Sequence, residues 1–169
     1  ARHFSRVAKR LKRTVTAHIK VDTGMGRLGV PCSEAPQLIE SISNLPNITI
    51  AGLYTHYASA ESDAPLSRTQ RTSFLQLLNK LKAAGHSFEY IHMNNSAGLL
   101  HEQQSNHNLA RPGLLVYGVM PAGPRRPPDI MKRHIRPALS WKCRVSLVKS
   151  IAKGTKLSYG QTYTAKRTM

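Results

Sequence analysis

Four polar positions sit at the ends of strand-like segments: Arg27 follows the first, His56 ends the second, the pair Asn95-Ser96 follows the third, and Arg111-Pro112-Gly113 lead into a fourth. A guanidinium is a fixed cation with several donors, an imidazole can donate or accept, and a serine hydroxyl does both. Gathered at one mouth, Ser96 and the backbone N–H groups near Gly113 could hold a phosphate. Taken singly, each has a plainer role: Arg27 as a surface cation, His56 as a satisfied core histidine, Ser96 as a helix cap. Their recurrence at successive strand ends points to a site, because barrels of parallel strands carry their active sites at the C-terminal strand ends.

Two further patterns carry less. Gly24-x-Gly26-x-x-Gly29 matches the dinucleotide-binding expression, but that fingerprint needs a helix starting inside the turn and an acid about 20 residues on. Pro31 interrupts directly after the motif, and Glu34 and Glu40 come too early. His101 and His107 are six apart, with Glu102 between them and no Cys nearby. A zinc helix needs its histidines at i and i+4, so a solvated polar turn is expected and no metal site is assigned.

The segments that must position these groups read as repeated βα units. Residues 4–13 put Phe4, Val7, Ala8 and Leu11 on one apolar helical face opposite basic residues. Residues 18–22 alternate as a strand running into the glycine-rich loop. Ser33 is expected to cap a helix over 35–42. Residues 48–54 are β-rich and end in Thr55-His56-Tyr57. Residues 67–84 form a long amphipathic helix with Phe74, Leu77, Leu78 and Leu81 on one face and Gly85 as its stop. A strand over 90–92 leads to a polar loop, 93–96, and a brief helix over 97–100. Arg111-Pro112-Gly113 then introduce a fourth strand over 114–118. Strands alternating with helices predict an α/β fold. Pro121, Pro124, Pro127, Pro128 and Pro137, set among basic residues, read as a connector. Beyond it, 138–151 alternate as a long strand, 152–155 make a turn and 157–164 begin another strand. The expected organisation is an α/β region over 1–118, a connector over 119–137 and an all-β region over 138–169.

Of the 169 residues, 40% are hydrophobic and 20% charged, which supplies a core and excludes a disordered or collagen-like chain. No run approaches the ~20 apolar residues of a membrane-spanning helix, so no membrane partner is expected. Cys32 and Cys143 are the only cysteines, which rules out a disulfide framework and fits a reducing, cytoplasmic setting. The 25 Lys and Arg against 8 acids give a formal net charge of +17. That surplus attracts anions whatever the fold. The cations are spread along the chain and aromatics are few, so nucleic acid should bind only non-specifically. Both ends read as cut from something longer.

Several stretches together resemble alanine racemase: residues 20–29 (Lys-Val-Asp-Thr-Gly-Met-Gly-Arg-Leu-Gly), Gly52-Leu53-Tyr54-Thr55-His56, Asn95-Ser96-Ala97, Arg111-Pro112-Gly113 with Tyr117-Gly118, and residues 158–163 (Ser-Tyr-Gly-Gln-Thr-Tyr). The resemblance runs from about Thr16 to Thr164. It implies an isomerase that interconverts L- and D-alanine with pyridoxal 5′-phosphate and supplies D-alanine for peptidoglycan. It also implies a homodimer, each subunit with a (β/α)8 TIM-type barrel and a C-terminal β domain. This chain would then hold about the second half of the barrel and the first strands of the β domain. By the same resemblance, Arg111 faces the pyridine nitrogen of the cofactor and His56 hydrogen-bonds Arg111. Ser96, with the backbone at Gly113 and Leu114, binds the phosphate, with Asn95 in support. Arg27 lies near the cofactor's phenolic oxygen and the substrate carboxylate, with Met25 close by, and Lys20 orients that arginine. Tyr159 is one of two catalytic bases and reaches the barrel of the other subunit.

The imine-forming lysine of the family stands in a Lys-Ala-Asn-Ala-Tyr-Gly motif, and no lysine here has that context. The chain is therefore expected to be an internal segment, inactive by itself. Two alternatives are kept: a racemase of serine or another amino acid on the same fold, and a non-catalytic basic module that binds nucleic acid.

Overall fold

The structure, a computed structural model, describes residues 1–101, 107–123, 129–140, 142–145, 147–157 and 159–169; the side chains of 130–132 and 159 are outside that description. Two compact units are present, Ala1–Ala138 and Leu139–Met169.

In the first unit the alternating segments become β1 (Val15–Asp22), β2 (Val30–Pro31), β3 (Ile48–Tyr54) and β4 (Tyr90–His92). They form one parallel sheet in the order β2-β1-β3-β4. Parallel neighbours need crossovers: α2 (Ala35–Ser43) lies on that from β1 to β3 and α3 (Ala64–Ala83) on that from β3 to β4. The short β2 joins β1 through the 23–29 loop alone, and α1 (Arg2–Arg10) precedes them. This is an α/β fold, a part of a (β/α)8 TIM-type barrel. Val21, Leu53 and Ile91 from the strands meet Ile39 and Ile42 of α2 and Phe74, Leu77, Leu78 and Leu81 of α3 in one core. The apolar stripe expected on the long helix is thus its buried face. That helix begins at Ala64, ahead of the expected Ser67, because the Asp63 carboxylate accepts the Leu66 N–H at 2.8 Å. Gly85, at φ +86°, follows its end.

Several local expectations are corrected. On α1, Ser5 and Ala8 turn inward while Phe4 and Leu11 stay 62% and 60% exposed. Ser5 Oγ donates to the Pro46 carbonyl at 2.7 Å, so a hydrogen bond beside a small residue seats the helix, not the larger apolar side chains. Ser33 does not cap α2: Glu34 is at that position, no side chain bonds the first amides, and Pro36 in the first turn has no N–H to satisfy. Residues 113–116 are a short helix, α5 (Gly113–Val116), instead of the start of a strand. Ser96 Oγ takes the Leu115 N–H at 3.2 Å and Leu114 O takes the Tyr117 N–H at 3.0 Å, which closes a turn where a strand would need a neighbouring edge. The other short helices are α4 (Ser96–His101) and α6 (Asp129–His134), the latter inside the stretch read as a connector.

In the second unit, the described residues of 138–151 form no strand. Leu139, Val145, Leu147 and Val148 are 72–86% exposed. Among the described residues no strand pairs with these four, and an unpaired strand leaves its amides without partners. Only at the end of the run does Ile151 exchange backbone bonds with Met169, at 2.8 and 3.1 Å. The turn at 152–155 is present, with the Thr155 N–H on Ala152 O at 3.2 Å. Residues 157–164 are not one strand. β5 (Lys156–Leu157) and β6 (Tyr163–Thr164) pair antiparallel around a 3-10 turn, Tyr159–Gln161, that bends at Gly160 with φ +69°. Among the described residues, no helix is long and apolar enough to cross a membrane.

Candidate active site

Register builds the site. Lys20 of β1 pairs with Tyr54 of β3, and Tyr54 with His92 of β4, so three functional side chains stand in one row at the C-terminal edge of the sheet. The Tyr54 and His92 rings stack with centroids 4.6 Å apart and planes within 8°. The Arg111 guanidinium carbon lies 4.9 Å from the Tyr54 ring centroid, a cation–π contact.

Arg111 is half-buried and needs acceptors. Its Nη2 donates to the Thr55 carbonyl at 2.8 Å, to His56 Nδ1 at 3.2 Å and to the Met93 carbonyl at 3.4 Å, while Nη1 donates to His92 Nδ1. A guanidinium can only donate, so both imidazoles must accept through Nδ1 and carry their proton on Nε2. His92 Nε2 then donates to His18 Nδ1 at 2.8 Å, which fixes the next tautomer as well. Burial, and then the Arg111 charge with His18 and His107, push His92 down to about 4. Burial followed by the charges of Arg111, Arg27 and Lys20 lowers His56, against a small opposing pull from Glu61. Both histidines are neutral at pH 7, as acceptors of an arginine must be.

A cavity of about 470 Å³ opens beside this network, lined by His56, Asn95, Ser96, Arg111, Gly113 and Leu114 together with Glu61 and Pro121. Six of the sequence-derived site residues therefore meet around one space. Asn95 Oδ1 accepts the Gly98 N–H at 2.8 Å and caps α4, which presents Ser96 at its start. The Arg111 N–H bonds the Asn94 carbonyl at 2.9 Å and ties the segment before α5 to that loop. Nothing lies within 4 Å of the point where a Cβ on Gly113 would sit.

Lys20, Met25 and Arg27 do not line that cavity. Met25 and Arg27 belong to the loop after β1, where Asp22 accepts from the N–H groups of Gly24, Met25 and Gly26 at 2.8–2.9 Å. The Gly24 bond, helped by its neighbours, holds the Asp22 carboxyl below its usual range. The loop's amides are thereby taken by its own carboxylate, so the glycine motif offers no pyrophosphate cradle. Arg27 is exposed. Lys20 is held below the ordinary lysine value by burial and then by Arg27, with Arg111 adding to it and Asp22 opposing. Tyr159 lies in the second unit and its side chain is outside the described residues. So is the 102–106 stretch between His101 and His107; His101 itself is buried, 3.2 Å from the Ala122 carbonyl.

Sequence reasoning missed His92, Thr55, Tyr54 and Gln70. His92 carried the same signal that singled out His56, a polar residue closing a short strand. What set His56 apart from it was the resemblance, whose quoted stretches include His56 and not His92.

The sequence profile for "Alanine racemase, N-terminal domain" matches residues 1–121. The alanine racemase of Carboxydothermus hydrogenoformans is 41% identical over 165 residues, which is 95% of this chain and 43% of that protein. That of Syntrophobacter fumaroxidans is 38% identical over 164 residues, 96% of this chain and 42% of that protein. Among solved structures, the alanine racemase from Streptomyces coelicolor A3(2) superposes with a TM-score of 0.78 at 26% identity, covering 98% of this chain and 44% of its own. The Bacillus anthracis alanine racemase with bound L-Ala-P gives 0.68 at 30% identity, covering 98% and 44%. The chain thus spans less than half the length of the relatives it matches.

Proposed function

This chain belongs to the alanine racemase family, and on that premise we propose that it forms one wall of a pyridoxal 5′-phosphate site in an enzyme that interconverts L- and D-alanine. The observation that carries the reading is the meeting of Arg111, His56 and Ser96 on one cavity. The residues fit the cofactor. Gly113 and Leu114 open α5, so their N–H groups have no acceptor within the helix and meet no side-chain cap. Ser96 Oγ already accepts from Leu115, which leaves its own proton free for a phosphate oxygen. The open space over Gly113 leaves room for that phosphate.

When bound, the cofactor supplies an electron sink that makes an amino acid's α-proton removable. Arg111 would present N–H donors to the ring nitrogen and, as a guanidinium that already carries its proton even though burial lowers its value, could accept none from it. It would therefore leave that nitrogen unprotonated, and the His56 and His92 acceptors keep Arg111 in place. We assign Arg27 and Met25 to the substrate carboxylate, Lys20 to orienting Arg27, and Tyr159 to one of the two bases, contributed across a homodimer. A tyrosine can serve so only when cations lower it from ~10. The same reading gives residues 1–118 to the barrel, 119–137 to a connector and 138–169 to the β domain, in a cytoplasmic enzyme making D-alanine for peptidoglycan. Charge alone accounts for non-specific nucleic-acid binding, and no described feature of the site favours it as a function.

Calorimetry with pyridoxamine 5′-phosphate, which cannot form imines with surface lysines, tests the site. The expected result is binding that pyridoxamine without its phosphate does not reproduce. Ser96→Ala should weaken it about tenfold, the worth of one charge-assisted hydrogen bond. Equal affinity for both compounds would refute the proposal.

A further inference from the structure

Gln70 is fully buried on α3, in a helix whose inward face is otherwise mostly apolar. A buried amide is tolerated when its partners are fixed, and Gln70 has three. Its Oε1 accepts the Ala58 N–H at 3.0 Å; its Nε2 donates to the His56 carbonyl at 3.0 Å and to Thr23 Oγ1 at 3.3 Å. The amide cannot be flipped, because the Ala58 N–H can only donate and the His56 carbonyl can only accept. Thr23 Oγ1 shares a 2.7 Å bond with Thr55 Oγ1, and the Thr55 carbonyl takes Arg111 Nη2. The Gln70 stem packs beneath the loop after β1, its Cγ 3.6 Å from where a Cβ on Gly24 would lie.

We propose that Gln70 is a positioning residue that braces the His56 peptide and the Met25–Arg27 loop against each other, and so sets the spacing between cofactor wall and substrate arm. This rests on the proposed cofactor reading of the site. Gln70 itself touches neither the cavity nor Arg111. A methionine of similar volume would fill the same space and bury more apolar surface. What the amide adds is direction: three bonds to two loops that carry opposite sides of one site.

Gln70→Met is the test, with histidine NMR titrations, thermal unfolding and pyridoxamine-phosphate affinity as readouts. Around His56 stand Arg111, Arg27 and Lys20 as cations and Glu61 as the acid. With the brace gone, the His56 ring loosens from Arg111 and gains water, so its midpoint should move up toward the ordinary histidine value. His92, held by β4, should keep its midpoint near 4. Movement of both histidines together would mean general loosening and overturn the proposal, as would movement of neither. Thr23→Val is the milder variant: it cuts the loop's link while sparing the His56 bond. It should cost hydrogen-exchange protection at Met25 and Gly26 and leave His56 unmoved; full protection would overturn the brace. The two readings separate cleanly. Failure of the unmodified chain to bind pyridoxamine phosphate overturns the cofactor reading, yet the histidine shift needs no ligand. Unchanged affinity and an unchanged His56 in Gln70→Met overturn the brace alone.

Discussion

Arg111 brings a permanent charge into a half-buried place, and its neighbours answer with acceptors: two imidazole nitrogens and two backbone carbonyls. The arrangement has a pH signature. His92 titrates near 4 when folded and from an ordinary value of 6.5 when unfolded. Between those values the unfolded chain holds the extra proton, so acid favours unfolding. The stabilisation is complete above 6.5 and is lost as the pH falls through 4. The thermal midpoint should therefore drop across that window, and His92→Gln should flatten the drop. His56, lowered in the same direction, preserves part of the slope; an unaltered slope would show that His92 is not held neutral. At this scale the sequence was informative about single residues and silent about pairs. His56 and Ser96 stand out because each follows or ends a strand, and Arg111 because it leads into what reads as the next one. The links from Arg111 to His92 and on to His18 depend on β3 and β4 pairing in register, which no local pattern encodes.

Elements were legible where their signals were local and their partners present. The stripe on α3 and the β-rich run of β3 each meet a partner, the stripe as the buried face of its helix and β3 as a strand paired on both sides. The run 138–151 has an equally good alternation, but among its described residues only the ends are bonded, Ala138 to Tyr117 and Ile151 to Met169, and Leu139, Val145, Leu147 and Val148 stay exposed. Caps divide in the same way. Asp63 bonds the Leu66 amide at the head of α3, whereas Ser33 caps nothing. Chemical denaturation should show Asp63→Ala losing about 1 kcal/mol, while Ser33→Ala stays within about 0.5 kcal/mol of the unmodified chain. A reversed order would contradict the capping geometry. The α5 turn was misread for a third reason: its residues are apolar and brief, and the Ser96 hydroxyl that anchors them comes from another element.

For the whole molecule, topology does what no single segment can. Parallel strands deliver β1, β3 and β4 to one edge, and the segments beyond β3 and β4 carry His56, Ser96 and Arg111 to a common cavity. The +17 charge gives the chain a general attraction for anions, so any phosphate-bearing ligand must be shown to bind at one place. The direct measurement is a 15N NMR titration with pyridoxamine 5′-phosphate, run at raised salt so that the surface field is screened. The account predicts that the Gly113 and Leu114 amides, the Ser96 amide and the Arg111 side-chain signals shift together and saturate with one dissociation constant. Shifts scattered over the lysines and arginines of α1 and the second unit, with Arg111 and Gly113 unmoved, would contradict it.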